Sequence, residues 1–382
     1  MLVVHIPSWF PHTDKPLDGN FIFRQIATTT PFSKAIVLHH LEDGFVMPAD
    51  MAKEGIVIFP FSTTGKDSKM QMAKKYVKAF QQIVEQYGKP DIIHAHVTLP
   101  LGPVAALLSA KYKIPLVISE HWSVYQPQNR HQLSPFQRLQ LLFTFRQARC
   151  LTTVSDNLHQ AIVDTMPIAK KMQYVKISNV VDVEKFKVRA SNTNTVNDRK
   201  QILHISTLDN AAKNIMGILR SVNVLLKQRN DFVLNIIHDL PNVEVENYIR
   251  AEHLENNIRL LGRKTEEEVA AAIQNCDFLL QFSNYENQPC VLLESFCCGK
   301  PVLTTPVGGI PEIADESNAA FVEPRNEEML VERLNYMLDH HQEFDTHVIS
   351  DEALERYSPK AVGKLFYSVY HNILSNTINH ID

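Results

Sequence analysis

Residues 283–301 read SNYENQPCVLLESFCCGKP and join two apolar runs of the chain. The segment holds a polar loop with Glu286, then Pro289, a second acid at Glu294, and Gly299 at its end. Proline is common in the first turn of a helix, and glycine is common just after the last turn. The segment therefore predicts a strand, a loop, a short helix and a second strand.

The same alternation of short apolar runs and amphipathic stretches continues through the chain and predicts an α/β fold with parallel sheets and covering helices. A length of 382 residues is too great for one ordinary core, so two domains are expected. Residues 189–199 (RASNTNTVNDR) are polar and are the predicted linker. We therefore predict an N-terminal domain at 1–188 and a C-terminal domain at 198–357, followed by a terminal helix at 358–382.

Two acids at the end of a predicted strand suggest a ligand site. Glu286 would lie in the loop and Glu294 on the helix behind it, facing the crevice at the carboxyl ends of a parallel sheet, where α/β folds bind ligands. A buried carboxylate is costly without hydrogen-bond partners. A ligand rich in hydroxyl groups would supply them.

Composition excludes several classes of protein. A net charge of −4 argues against a general nucleic-acid binder. The five cysteines show no paired metal spacing and suit a reducing cytoplasm. The N-terminal residues show no signal peptide, and no run of about 20 apolar residues predicts a membrane-spanning helix. A dehydrogenase is also disfavoured, because no tight glycine fingerprint follows the first strand.

Several segments, in chain order, resemble those of glycosyltransferase family 4, a retaining class with the GT-B fold of two facing Rossmann-like domains. The resemblance covers nearly the whole chain and rests on the segments at 91–96 (DIIHAH), 119–123 (SEHWS), 148–158 (ARCLTTVSDNL), 177–186 (ISNVVDVEKF), 299–313 (GKPVLTTPVGGIPEI) and 318–330 (NAAFVEPRNEEML), together with the glutamate pair. Each segment is weak alone, and the order makes the set specific. The family pattern also implies that the terminal helix at 358–382 packs back on the N-terminal domain.

The resemblance implies a donor site in the C-terminal domain. Glu294 would bind the ribose hydroxyls of a nucleotide-sugar, a sound match for a carboxylate. Glu286 would lie against the donor sugar, helped by the backbone of Asn287, Gln288, Pro289 and Cys290. Gly308 and Gly309, ahead of a short helix at Ile310, would form a cradle for the diphosphate. The alternatives are solvated acids and an ordinary turn.

Lys213 is the predicted cation for the departing diphosphate. The family usually has an arginine about five residues earlier, but this sequence has Ser206, Thr207 and Leu208 there. Arg263 is a candidate to compensate, although the family places that loop nearer the base. A solvated helix lysine is the alternative for Lys213.

In the N-terminal domain the resemblance places His121 near the donor sugar, where it would hydrogen-bond a hydroxyl or hold a proton. A polar cap at a strand end is the alternative. Glu120 is the candidate to test for a covalent intermediate, which we do not expect. Gly19 and Asn20 belong to a loop that touches the acceptor or the phosphates in the family.

Two further features have structural readings. His94 and His96 are expected on opposite faces of a strand, and so are poor ligands for one metal. The predicted helix at 135–149 carries apolar residues all round, which favours burial, while three arginines leave contact with a membrane surface open.

The expected function is transfer of a hexose-type sugar, with retention, from a UDP- or GDP-linked donor to a hydroxyl of a glycan or lipid-linked acceptor. Cell-surface polysaccharide or glycoconjugate synthesis in the cytoplasm is the expected setting, with peripheral contact at the inner face of the membrane as an open alternative. We expect no cofactor and no metal, because the sequence has no Asp-x-Asp triad. A nucleotide-sugar epimerase of the same fold and a non-catalytic sugar-nucleotide binder remain alternatives.

Overall fold

Strands and helices alternate through the chain as its apolar runs predict. The computed structural model describes residues 1–11, 18–42, 55–63, 67–189 and 199–375. The chain divides into two compact units, the first formed by Met1–Val180 with the segment from Pro359 onward and the second by Val181–Ser358. Residues 190–198, most of the predicted linker, lie outside the described residues.

The first unit contains a seven-stranded parallel sheet in the order β3-β2-β1-β4-β5-β6-β7. Its strands are β1 (Leu2–Pro7), β2 (Lys34–Glu42), β3 (Val57–Thr63), β4 (Ile92–His96), β5 (Leu116–Glu120), β6 (Ala148–Thr153) and β7 (Gln173–Lys176). Helices that flank it are α1 (Asn20–Ala27), α2 (Lys69–Tyr87), α3 (Gly102–Tyr112), α4 (Pro135–Gln147) and α5 (Asp156–Thr165).

The second unit contains a six-stranded parallel sheet in the order β10-β9-β8-β11-β12-β13. Its strands are β8 (Lys200–Ile205), β9 (Phe232–Ile237), β10 (Ile258–Gly262), β11 (Phe278–Gln281), β12 (Val302–Thr304) and β13 (Ala319–Phe321). Its helices are α6 (Asn210–Lys213), α7 (Ile215–Leu226), α8 (Val243–Ala251), α9 (Glu266–Asn275), α10 (Cys290–Cys297), α11 (Glu327–His340) and α12 (Thr346–Tyr357).

The terminal helix α13 (Pro359–Ser375) returns to the first unit. Its buried residues Val362, Phe366 and Tyr370 pack with Val3 of β1 and Val117 of β5 on one face of the sheet. This packing confirms the predicted fold class, including the return of the last helix. In each sheet the strand order changes direction beside the first strand of the unit, β1 or β8. Such a change is the switch point at which α/β folds bind ligands.

Residues 181–188 differ from their predicted placement in the N-terminal domain. Val181 and Phe186 are buried in a core cluster of the second unit with Phe296 and Tyr357. The backbone N–H of Val181 also donates to the carbonyl of Tyr357 at 3.0 Å. These apolar side chains place the unit boundary before Val181 instead of at the polar stretch that follows them.

The predicted end of the helix in the segment 283–301 is confirmed. Gly299 has φ +70°, and its N–H donates to the carbonyl of Phe296 while that of Lys300 donates to Ser295. This pair of bonds is the Schellman motif, which favours glycine at the left-handed position. A Cβ at Gly299 would also lie 2.4 Å from the Thr346 side chain. The turn is therefore restricted both by its backbone angle and by packing.

No helix within the described ranges is long and apolar enough to cross a membrane.

The substitution Gly299→Ala should destabilise the second unit more than Gly262→Ala. Gly262 has φ +64° with no atom within 4 Å of an added Cβ, so its variant isolates the left-handed backbone cost of about 1–2 kcal/mol. Gly299→Ala adds a steric conflict of about 1–3 kcal/mol. Thermal or urea unfolding of the two variants measures the difference, and equal stabilities would contradict the packing role of Gly299.

Candidate active site

Three loops meet at the switch point of the second unit. β8 pairs in parallel with β11, and β11 pairs in parallel with β12, so the carboxyl ends of the three strands lie side by side. The chain leaves these ends into the loops at 206–209, 282–289 and 305–309. These loops carry or adjoin most of the predicted donor-site residues.

An ion pair joins two of the predicted residues that are far apart in sequence. The Nζ of Lys213 lies 2.5 Å from Oε1 of Glu286, and the hydroxyl of Ser283 donates to the same oxygen at 2.8 Å. The Glu286 side chain is 9% exposed and that of Lys213 is 21% exposed. The pair is therefore largely withdrawn from water but still reachable by a ligand.

Backbone contacts fix the spacing of this ion pair. The N–H of Asn284 donates to the carbonyl of Ala212 at 2.7 Å, and its side-chain amide donates to that of Ala211 at 3.0 Å. At the start of α6, the carboxylate of Asp209 accepts from the N–H of Ala211. The end of α6, which carries Lys213, is thereby tied to the loop that carries Glu286.

Gly308 packs directly on the loop of Glu286. It has φ +57°, and a Cβ there would lie 1.7 Å from the carbonyl oxygen of Glu286. The hydroxyl of Thr305 also donates to the carbonyl of Ser283 at 2.7 Å. Gly309 has φ −86°, an angle open to any residue. Glycine is thus required at 308 by close approach to Glu286.

The remaining predicted donor-site residues lie either on α10 and just before it, or at Ile310. Glu294 is buried on α10 at 6% exposure, and Gln288 and Pro289 are buried immediately before that helix, with Asn287 and Cys290 half-buried. The Ile310 side chain is buried in the core, and its N–H donates to the carbonyl of Val307. Ile310 therefore supports the loop from within.

Arg263 is not brought to the ion pair. It is exposed and follows β10, the edge strand, which β9 separates from β8. Position 208, where the family arginine is expected, holds a leucine that is 2% exposed and part of the core. An apolar anchor replaces a cation at that point of the loop.

His204 is a buried residue of the site that sequence reasoning missed. Its Nδ1 pairs with the carbonyl of Leu280 at 2.8 Å and its Nε2 with the hydroxyl of Ser206 at 2.8 Å. Burial lowers the pKa of His204 to about 4, with a further contribution from nearby Lys213. A neutral imidazole here links β8 to β11 and holds the loop before Lys213. In the sequence, the position of this histidine within the apolar run LHIS was the sign that it is buried and needs hydrogen-bond partners.

In the first unit, Glu120 anchors the loop that carries His121. It is fully buried, and its Oε1 accepts from the N–H groups of His121 at 2.8 Å and Trp122 at 2.9 Å. Its Oε2 accepts from the N–H and hydroxyl of Thr98 and from the hydroxyl of Tyr125. Both oxygens are occupied, so Glu120 serves as a scaffold for the loop rather than as an exposed nucleophile.

His121 lies with its ring 4.9 Å from that of Phe21, centroid to centroid. Both ring nitrogens are shielded from solvent, although the residue as a whole is half-buried. Burial lowers the pKa of His121 to about 3, so the imidazole is neutral near pH 7. A neutral imidazole can donate a hydrogen bond to a hydroxyl or accept one from it. It lacks the additional proton that an imidazolium could give to a leaving group.

Gly19 is required by the fold of the first unit. It has φ +67°, and a Cβ would lie 2.5 Å from the carbonyl oxygen of Trp9. Asn20 follows as the first residue of α1. Residues 12–17 of the same loop lie outside the described residues.

The predicted placement of His94 and His96 on opposite faces is wrong. Residues two apart in a strand share a face, and the two rings stack with centroids 4.1 Å apart. His5 of β1 joins them, with its Nδ1 3.0 Å from Nε2 of His96. Three buried histidines therefore form one cluster in the first unit.

Comparison with known proteins identifies relatives along most of the chain. Residues 187–356 match the family described as glycosyl transferases group 1, and residues 39–185 match glycosyltransferase family 4. An uncharacterized glycosyltransferase of Methanocaldococcus jannaschii is 30% identical over 69% of this chain and 70% of its own length. A glycosyltransferase of Bacillus subtilis, named as putative for teichuronic acid biosynthesis, is 21% identical over 92% of both chains.

A similar solved structure agrees on the architecture. The structure of Anabaena HepE in complex with UDP superposes with a TM-score of 0.79 over 97% of this chain and all of the other, at 18% identity. That likeness supports the GT-B fold. From the two family matches and the archaeal relative, the chain belongs to the glycosyltransferases of family 4, with its second unit in the glycosyl transferases group 1 family.

Proposed function

We propose that this chain transfers a hexose-type sugar, with retention at the anomeric carbon, from a nucleotide-sugar to a hydroxyl of a glycan or lipid-linked acceptor. The observation that carries the proposal is the ion pair of Lys213 and Glu286 at the switch point of the second unit. A lysine and a carboxylate that face a ligand crevice suit a donor with a diphosphate at one end and hydroxyls at the other.

Donor binding would exchange the partners of this pair. The diphosphate would take the ammonium group of Lys213, because a doubly charged anion competes well with one carboxylate. Glu286 would then be free to accept hydrogen bonds from the hydroxyls of the sugar. The hydroxyl of Ser283 would continue to donate to the Glu286 carboxylate. The carboxylate of Glu294 would accept from the ribose hydroxyls.

The leaving diphosphate would be stabilised by Lys213 and by backbone N–H groups near Gly308 and Gly309, and not by a metal. Position 208 holds a buried leucine, and Lys213, at the end of α6, is the cation that pairs with Glu286. His121, held by its backbone through Glu120, would hydrogen-bond the transferred sugar as a neutral ring. Gly19 and Asn20 are proposed on the acceptor side.

The acceptor would bind mainly to the first unit, and peripheral contact with an anionic membrane is part of this proposal. Along α4, Phe136, Leu139 and Phe143 form an exposed stripe at 58%, 62% and 39% exposure. Burial was expected for this helix, and it holds for Leu141 and Phe145 on the other side.

Charge around the stripe favours an anionic lipid surface. Exposed Arg130 precedes α4 and exposed Arg146 lies in its last turn, and the Nζ of Lys69 lies 5.8 Å from the centre of the Phe136 ring. The sequence of α4 contains no acidic residue. Apolar side chains with basic neighbours are the pattern of interfacial helices. We place the reaction in the cytoplasm, at the inner face of the membrane.

Nucleoside diphosphates should raise the melting temperature of the protein, because a ligand bound only by the native state stabilises it. A screen of UDP, GDP and their sugars identifies the base. Glu294→Gln should weaken binding of the matching nucleotide by about 10–100-fold, since it loses charge-assisted hydrogen bonds. Glu332→Gln, at an exposed acid on α11, is the control. Equal binding by the Glu294 variant would contradict its ribose role.

Lys213→Ala should lower kcat for sugar transfer by about 10²–10³-fold, because it removes a charge that acts on the leaving group. Lys227→Ala, at an exposed lysine beyond α7, should behave like the wild type. Product analysis with donor alone and with acceptors separates transfer from epimerisation. Binding without turnover in the wild type would favour a sugar-nucleotide binder, and equal rates in both variants would exclude the role of Lys213.

Leu139→Asp should reduce co-sedimentation of the protein with anionic vesicles several-fold, because it places a negative charge in the apolar stripe. Leu374→Asp changes an exposed leucine on α13 of the same unit and serves as the matched control. Binding to neutral vesicles should be weak for all three proteins. Unchanged sedimentation of the Leu139 variant would rule out α4 as the contact.

A further inference from the structure

Three histidines of the first unit meet inside the protein at the first switch point. His5 of β1 is in register with His94 of β4, and His96 follows two residues later on the same face. The ring centroids of His5 lie 5.3 Å from those of both other histidines. One ring nitrogen from each residue lies within 4.8 Å of the other two.

All three residues are completely buried, at 0% exposure. Nε2 of His5 and Nδ1 of His96 have no hydrogen-bond partner among the described residues. A buried polar atom without a partner is costly and calls for a bound water or ion. The protein thus presents more nitrogen ligands at this point than its own groups satisfy.

The third histidine is held by a second layer of polar groups. Nδ1 of His94 pairs with the hydroxyl of Tyr370 on α13 at 2.7 Å, and Nε2 pairs with that of Ser119 at 2.8 Å. The hydroxyl of Thr152 continues the chain to Ser119 at 2.6 Å. A metal-binding histidine uses one ring nitrogen for the ion and the other for an outer hydrogen-bond partner. For His94, an ion would take Nε2 in place of Ser119, while Nδ1 keeps its contact with Tyr370.

We propose that His5, His94 and His96 form a structural site for a divalent first-row transition metal of the zinc type. Imidazole nitrogen suits zinc, cobalt, nickel and copper, whereas magnesium and calcium prefer oxygen. The ion would fasten β1 to β4 beside the switch point and, through Tyr370, to the terminal helix. It is separate from the leaving-group chemistry and departs from the expectation that the protein binds no metal.

The test uses the full chain without a polyhistidine tag, expressed with added Zn²⁺ and separated from loose metal by gel filtration. Elemental analysis of the wild type should find one zinc ion per chain. His5→Gln and His96→Gln should lose it, while His340→Gln, at a half-buried histidine on α11 outside the cluster, should retain it. Tyr370→Phe keeps all three ligands and should weaken zinc affinity about 10–100-fold.

Co²⁺ in place of Zn²⁺ keeps the proposal testable if the histidine variants fail to fold. Wild-type protein loaded with Co²⁺ should show the intense visible bands of a four-coordinate ion with nitrogen ligands. The absence of such bands, or the absence of retained zinc from the wild type, would overturn the proposal in favour of buried water. Retention of a full equivalent by folded His5→Gln and His96→Gln would overturn it as well.

Discussion

Parallel pairing of β8 with β11 is the constraint on which the candidate donor site depends. Because the two strands run in the same direction, their carboxyl ends deliver Lys213 and Glu286 to the same edge of the sheet. The partial burial of this pair has opposing effects: desolvation disfavours both charges, and their mutual attraction offsets it. In the proposed donor complex the diphosphate would replace Glu286 as the partner of Lys213, so the ammonium group would not be left unpaired.

Buried polar groups at the two switch points are stabilised in different ways. Glu120 satisfies both oxygens with groups from its own unit, which makes it a rigid support for the loop of His121. Glu286 instead pairs with one ammonium group, that of Lys213, and one hydroxyl, that of Ser283. The difference fits the proposed roles of Glu120 as a scaffold and of Glu286 as a carboxylate for the donor sugar. The histidine cluster is satisfied only in part by protein groups, since two of its ring nitrogens lack protein partners among the described residues.

Departure from the family pattern is localised and has a structural explanation. The position expected to hold an arginine carries a leucine that packs into the core of the second unit. His204 then holds the preceding turn through Ser206, whose hydroxyl also accepts the N–H of Leu208. The loop is therefore shaped by a neutral hydrogen-bond network, and the positive charge is concentrated at Lys213.

Local patterns in the sequence determined the α/β class and the glycine cap at Gly299, because apolar periodicity and backbone preferences act over a few residues. The return of the terminal helix was expected only from the family resemblance. The contacts that define the sites join residues far apart in the sequence, so local patterns could not predict them. The ion pair joins residues 73 positions apart, and a hydrogen bond joins His5 to His96 across 91 positions. Only the order and register of the strands decide which side chains meet. The placement of His94 and His96 on opposite faces was wrong for a local reason, because residues two apart in one strand share a face. The segment 283–301 supplied one half of the ion pair, and the tertiary structure supplied its partner.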